Sequence, residues 1–123
     1  ETVVTTPSVI YVRSHYGPYF RVDENRIQNI GTPGEGGAFT ETSDGGLIVS
    51  VPRIGIFEYR DGWVKIYDCP YPPDYPVAFE YLAESNGRIA FAAVPDLSDM
   101  QGTGAKSRIW TSINNELVER PIP

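Results

Sequence analysis

Apolar and polar side chains alternate along residues 54–67 (IGIFEYRDGWVKIY), a pattern that is typical of two antiparallel strands. At its centre lies Asp61-Gly62, a preferred pair for the two-residue type I′ turn, in which both residues adopt a positive φ. Such a turn predicts that Tyr59 lies opposite Val64. It also places four side chains that can enter a core on one side of the hairpin, namely Phe57, Tyr59, Val64 and Ile66.

A second hairpin is predicted from residues 77–83 and 88–94, which flank the turn-forming pair Asn86-Gly87. Both of its faces are largely apolar, whereas a domain of this size fully covers only its central strands. The second face is therefore covered either by another sheet of the same chain or by a second subunit, and both alternatives remain open. The candidate self-association residues on this hairpin are Tyr81, Leu82 and Phe91.

Further short, strand-like segments recur along the chain, including a hairpin around Asn114-Asn115, and the 123 residues contain 12 Gly and 11 Pro. Repeated short strands without βαβ alternation are typical of antiparallel sandwiches and barrels. We therefore predict an all-β fold, an antiparallel β-sandwich of about ten short strands, with a jelly-roll or barrel-like arrangement as the alternative. The length predicts a single domain over residues 1–123, with residues 1–7 as an extended N-terminal arm or a terminal strand.

Charge and residue counts disfavour several classes of function. The net charge is −6 and only 10 residues are Lys or Arg, so we do not expect nucleic acid as a partner. No apolar run approaches the roughly 18 residues that cross a bilayer, so no membrane insertion is expected. The chain has one cysteine, Cys69, so no intrachain disulfide and no metal site built from thiolates is expected. It has one histidine, His15, and no pattern places a nucleophile beside it, so we predict no catalytic residue. No cofactor is expected either.

The aromatic residues are the main candidates for a ligand site. Two of them lie in the proline-rich segment 68–76 (DCPYPPDYP), which we predict to be a stiff surface loop. Rigid aromatic side chains on such a loop can stack on sugar rings or pack against a protein partner at little cost in entropy. The alternative is that they cap the ends of the core. The candidate ligand-binding residues are Trp63, Tyr67, Tyr71, Tyr75 and Trp110.

The segment Asp61-Gly62-Trp63-Val64-Lys65-Ile66 resembles the D-G-x-W-V-x-I hairpins of phage tail-fibre and other virion attachment proteins, and residues 108–110 before Asn114-Asn115 are similar in kind. The resemblance covers about twenty residues. It implies a surface-exposed binding or assembly module, oligomeric and without catalytic residues, on a virion or an extracellular or cell surface.

Taken together, these patterns predict a non-enzymatic β-rich module for binding or assembly, with a protein or a glycan as its partner and a homo-oligomer as its state. Two alternatives remain: a monomeric carbohydrate-binding module that uses the aromatic loop, and a small hydrolase or lyase fragment.

Overall fold

The structure, a computed structural model, describes residues 9–14, 17–35, 37–72, 77–95 and 108–121. The predicted N-terminal arm, His15 and Tyr75 lie outside these ranges. The described part of the chain is all-β and holds antiparallel sheets, none of which closes into a barrel, so the predicted fold class is confirmed. The strands are β1 (Ile10–Arg13), β2 (Tyr19–Val22), β3 (Ile27–Gly31), β4 (Phe39–Glu41), β5 (Leu47–Val51), β6 (Gly55–Tyr59), β7 (Trp63–Asp68), β8 (Val77–Ser85), β9 (Arg88–Pro95), β10 (Arg108–Ile113) and β11 (Glu116–Arg120).

The chain divides into two compact units, Glu1–Thr32 and Pro33–Pro123. The first unit contains a three-stranded sheet in the order β1-β2-β3. Its β2–β3 turn is fixed by Asp23, whose carboxylate accepts hydrogen bonds from the backbone N–H groups of Asn25 and Arg26 and from the Arg21 guanidinium. These contacts lower the pKa of Asp23. The prediction that residues 1–123 form a single domain stays a prediction.

The second unit is a sandwich of two four-stranded meanders, β4-β5-β6-β7 and β8-β9-β10-β11. Directly opposed residues of an antiparallel pair point to the same face of the sheet. Each sheet therefore has one face from which apolar side chains enter a shared buried cluster. The first sheet supplies Ile48 and Ile56, and the second supplies Leu82, Ile89, Phe91 and Ala93. The buried cluster therefore holds the two sheets of the sandwich together.

The hairpin between β6 and β7 does not have the register that its sequence predicts. Tyr59 pairs with Trp63 across a three-residue loop, residues 60–62, and Gly62 does not have a positive φ. A register shift leaves Ile66 as an extra residue on β7, so Ile56 still lies opposite Tyr67 as predicted. The rings of Tyr59 and Trp63 are 5.2 Å apart, a contact that the predicted register would not form.

The prediction of the core face of this hairpin is correspondingly wrong in part. Val64 is 61% exposed. Phe57 is only half-buried, whereas its neighbour Ile56 is completely buried. Tyr59 is buried as predicted, and Ile66 packs against the core at its margin. Near the loop, the pairing differs by one residue from the predicted register. Side chains alternate between the two faces of a strand, so Val64 lies on the face of Glu58 and not on that of Tyr59.

The other two predicted turns are confirmed. Asn86 and Gly87 have φ values of 52° and 81°, as a type I′ turn requires, and Asn114 and Asn115 have φ values of 51° and 65°. Further along β8 the register shifts again: Tyr81 and Leu82 together face the single residue Phe91 of β9. This is a β-bulge, in which Tyr81 adopts a left-handed φ of 58°.

Candidate functional site

A cleft of about 360 Å³ opens between the two sheets at the end of the sandwich where its hairpin turns gather. In each meander, alternate turns fall at the same end of the sheet, and residues of the β4–β5, β6–β7, β8–β9 and β10–β11 turns all line the cleft. The cleft is lined by the apolar side chains of Ile48, Ile66 and Ile89, by Tyr67, and by the polar groups of Asp44, Glu58, Arg60, Glu84, Gly87 and Asn115. Its volume lies in the range of small-ligand sites.

Arg60 organises one side of the cleft. Its Nη2 lies 2.9 Å from both carboxylate oxygens of Asp44 and 2.9 Å from Oε2 of Glu58. Asp44 also accepts a hydrogen bond of 2.6 Å from the Thr42 hydroxyl, which in turn accepts one from the N–H of Gly46. The network joins the β4–β5 turn to β6. It fixes the direction of the charged groups more than it stabilises the fold, since the side chains of Arg60 and Asp44 are 48% and 62% exposed.

The same contacts shift the pKa values of this group. The guanidinium of Arg60, followed by the hydroxyl of Thr42, lowers the pKa of Asp44 below its ordinary value. The two carboxylates, Asp44 and then Glu58, raise the pKa of Arg60. Asp44 and Arg60 are therefore both ionised at neutral pH, and the rim of the cleft carries fixed charges.

Glu84 organises the opposite side of the cleft and connects the two sheets. Its Oε1 accepts a hydrogen bond of 2.8 Å from the backbone N–H of Ser43, in the β4–β5 turn of the first sheet. Its Oε2 accepts one of 3.0 Å from the N–H of Gly87 and a longer one of 3.4 Å from the Ser43 hydroxyl. One carboxylate thus holds the β4–β5 and β8–β9 turns together across the mouth of the cleft.

The charge balance of the cleft restricts what it can bind. Three carboxylates, Asp44, Glu58 and Glu84, face one guanidinium, Arg60. An anionic ligand such as a phosphate would be repelled by this surplus of negative charge. A neutral ligand rich in hydroxyl groups can donate to the carboxylates and rest its apolar parts on the isoleucine side chains.

Of the five predicted ligand-binding aromatic residues, Tyr67 is the one that lines this cleft. Trp63 contacts Tyr59 instead. Tyr71 and Trp110 form a pair: the indole Nε1–H donates a 2.9 Å hydrogen bond to the Tyr71 hydroxyl, and the rings meet edge to face at 5.7 Å. Both are partly buried and pack against the core, and Tyr75 is outside the described residues. Ligand binding by these residues stays a prediction.

The predicted self-association residues are also separated by the fold. Phe91 is 1% exposed and Leu82 is buried beside it in the core between the sheets. Tyr81 is 77% exposed at the bulge of β8. Among these three, Tyr81 alone is available to a partner, so association through this hairpin stays a prediction for that residue.

Sequence reasoning missed Asp44, Glu58, Arg60 and Glu84. Sixteen acidic residues are spread through the chain, and composition does not select the few that meet. A usable signal did exist, since Glu58, Arg60 and Glu84 lie close to the predicted turns at residues 61–62 and 86–87. Asp44 lies in Ser43-Asp44-Gly45-Gly46, a stretch with the composition of a hairpin loop. In a meander, alternate turns fall at the same end of the sheet, but the sequence does not show which ends of two packed meanders coincide.

The fold and the cleft define an antiparallel β-sandwich with a charged cleft at its hairpin end. Comparison of the chain with models of protein families, with curated proteins and with solved structures finds no match. The resemblance to virion attachment hairpins therefore stays a prediction.

Three further observations concern metal binding, membrane-spanning helices and the single cysteine. Among the described residues, no three His, Cys, Asp or Glu side chains come together in a way that could hold a metal ion. The described part of the chain also contains no helix long and apolar enough to cross a membrane. Cys69 is a free thiol that packs, half-buried, against the core.

Proposed function

We propose that this chain is a non-enzymatic binding module that holds a neutral, hydroxyl-rich ligand, a carbohydrate, in the cleft at the hairpin end of the sandwich. The observation that carries the proposal is the arrangement of the cleft: an apolar lining beneath a rim of charged groups whose positions are fixed by hydrogen bonds. Such an arrangement suits a molecule with one apolar face and many hydroxyl groups.

The rim supports a carbohydrate over other small ligands. Sugar hydroxyls donate to carboxylate oxygens and accept from guanidinium N–H groups, so Glu58 and Arg60 can both bind the same ring. The face of the sugar ring can rest on Tyr67 and the neighbouring isoleucine side chains. Because the rim is already ordered by its own hydrogen bonds, little entropy is lost when a ligand binds.

The state of Asp44 supports binding over hydrolysis. Glycoside hydrolases need a carboxylic acid whose raised pKa lets it protonate the leaving oxygen. The pKa of Asp44 is lowered instead, because Arg60 and Thr42 stabilise its charged form. This carboxyl of the rim is therefore suited to accept hydrogen bonds and not to donate a proton.

A place on a virion or a cell surface, where a glycan or a protein would be the partner, is part of the proposal. It rests on the resemblance of the Asp61–Ile66 hairpin to attachment modules, and the cleft lies beside that hairpin.

Isothermal titration calorimetry with neutral mono- and disaccharides tests the proposed site. The expected result is measurable binding that Tyr67→Ala weakens about tenfold, which corresponds to about 1.4 kcal/mol of lost contact. Glu58→Gln is expected to weaken binding as well, because it keeps the shape of the side chain but removes a charged acceptor. Tyr81→Ala serves as the control, since this exposed tyrosine lies outside the cleft.

Unchanged affinity in both cleft variants would contradict the proposed site. Loss of binding in Trp63→Ala alone would assign the ligand to the exposed surface of the β6–β7 hairpin, in line with the aromatic prediction from the sequence. Binding of anionic ligands in preference to neutral sugars would contradict the argument from charge.

A further inference from the structure

The sandwich has four edge strands, and three of them carry features that block the addition of another strand. β4 has only three residues. β7 is interrupted by the extra residue Ile66 and carries Lys65, and β8 is interrupted by the bulge at Tyr81 and Leu82. Short strands, bulges and edge lysines are the common means by which proteins protect sheet edges. β11 differs, because all five of its residues pair regularly with β10.

The pairing of β11 with β10 determines which backbone N–H and C=O groups of β11 lie on its outer edge. In a hairpin with a two-residue turn, the residues that flank the turn, Ile113 and Glu116, form a hydrogen-bonded pair, and such pairs alternate along the ladder. The N–H and C=O groups of Leu117 and Glu119 therefore point away from β10. Within the described ranges, no residue pairs with this outer edge.

The side chains of β11 are complementary to those of a second β11 that runs antiparallel to it. If the two strands are centred on Val118, Glu116 of each copy lies opposite Arg120 of the other. The same register places Leu117 opposite Glu119 of the second copy, so the outward N–H and C=O groups of the two strands meet as hydrogen-bonded pairs. Neither Glu116 nor Arg120 forms an ion pair with another described residue.

Neighbouring registers lose this complementarity. Centring the strands on Glu119 sets two glutamates directly opposite each other, which is destabilising. Centring them on Leu117 sets Glu116 opposite Val118 and Arg120 opposite Asn114, so both charges lose their partners. The register on Val118 also brings together two valine side chains that are each 37% exposed in the single chain.

We propose that the partner of this edge is a second copy of the chain, joined by antiparallel pairing of β11 with β11 about a two-fold axis. The β8–β11 sheets of two copies then form one continuous eight-stranded sheet, and a closed pair leaves no further β11 edge exposed. The contact goes beyond the proposed function, since it does not use the cleft. It uses a different surface from the one predicted on the β8–β9 hairpin, whose Leu82 and Phe91 are buried.

Sedimentation velocity over a concentration series up to about 1 mM tests the contact, because an edge of five residues gives a small interface and a weak association. The wild-type chain is expected to form a dimer reversibly. Glu116→Arg and Arg120→Glu are each expected to remain monomeric, because each sets like charges opposite each other twice. A mixture of the two variants is expected to associate, because every arginine at these two positions then lies opposite a glutamate of the other copy.

The matched control is Arg53→Glu, an exposed charge reversal in the β5–β6 turn of the other sheet of the sandwich, which should associate as the wild type does. Circular dichroism of each variant establishes that its sheets are retained. A wild-type chain that is monomeric throughout the series, or a mixture that fails to associate, would overturn the proposal. Loss of association in Tyr81→Glu but not in the β11 variants would assign the contact to the β8 edge and would also overturn it.

Discussion

Replacing Gly87 with alanine isolates the energetic cost of one left-handed residue in the β8–β9 turn. Its φ is +81°, and a Cβ atom built at this position would meet nothing within 4 Å. The change therefore adds backbone strain without a steric clash, and a left-handed alanine costs roughly 1–2 kcal/mol. The reduced freedom of the unfolded chain returns about 0.4–1 kcal/mol. We expect a net loss of about 1 kcal/mol in the free energy of unfolding.

Gly62→Ala is the matched comparison, because Gly62 also has open space around it but lacks a positive φ. Here only the effect on the unfolded chain remains, so the variant should be neutral or more stable by up to about 1 kcal/mol. Urea denaturation of both variants measures the difference directly. If Gly62→Ala were destabilised as much as Gly87→Ala, residues 60–62 would not form the three-residue loop, and Asp61-Gly62 would be a type I′ turn after all.

Three further predictions address the core, the connection between the sheets and the pH dependence. Phe91→Ala should lower the free energy of unfolding by about 3–5 kcal/mol in urea, because the ring is 1% exposed; a loss below about 1 kcal/mol would contradict its place between the sheets. Glu84→Gln should lower the free energy of unfolding by about 1 kcal/mol in the same assay, since it weakens charge-assisted hydrogen bonds to Ser43. An unchanged stability would show that the contact between Glu84 and Ser43 does not form in solution. The pKa of Asp44 is lower in the folded than in the unfolded chain, so its contribution is complete above about pH 4 and is lost as the pH falls through the folded value. Thermal unfolding should therefore show a smaller loss of stability below about pH 4 in Asp44→Asn than in the wild type, and identical pH profiles would refute this role.

The elements that the sequence predicts well are those determined by local chemistry. Asn-Gly and Asn-Asn pairs accept positive φ values with little strain, so the β8–β9 and β10–β11 turns form where they are predicted. Phe91 likewise lies in a short apolar run beside such a turn, which is typical of a buried strand, and its ring is buried. These features depend on neighbours in the chain and need no knowledge of sheet order.

The β6–β7 loop shows where local reasoning fails. Asp61-Gly62 has the composition of a type I′ turn, yet Tyr59 pairs with Trp63, and Arg60 is bound by Asp44 from another turn. The contact between Arg60 and Asp44 spans sixteen residues, so the local composition of the turn does not reveal it.

The candidate site was less predictable for the same reason. Glu84 meets Ser43 across 41 residues, and Trp110 meets Tyr71 across 39. The first contact forms part of the rim of the cleft, and the second packs two of the predicted ligand-binding aromatic residues against the core. Both depend on which strands face each other across the sandwich, which neither alternation nor composition specifies.

The central claim is that the cleft binds a neutral carbohydrate, and a titration followed by two-dimensional ¹H–¹⁵N NMR tests it most directly. A panel of neutral mono- and disaccharides would be added to the ¹⁵N-labelled chain, with inorganic phosphate as the anionic comparison. The account predicts saturable shifts of the backbone amides of Ile48, Ile66 and Gly87 with at least one sugar, and none of these shifts with phosphate. Saturable shifts confined to residues outside the cleft, or the absence of any shift with every sugar up to about 10 mM, beyond the usual range of ligand affinities, would contradict it.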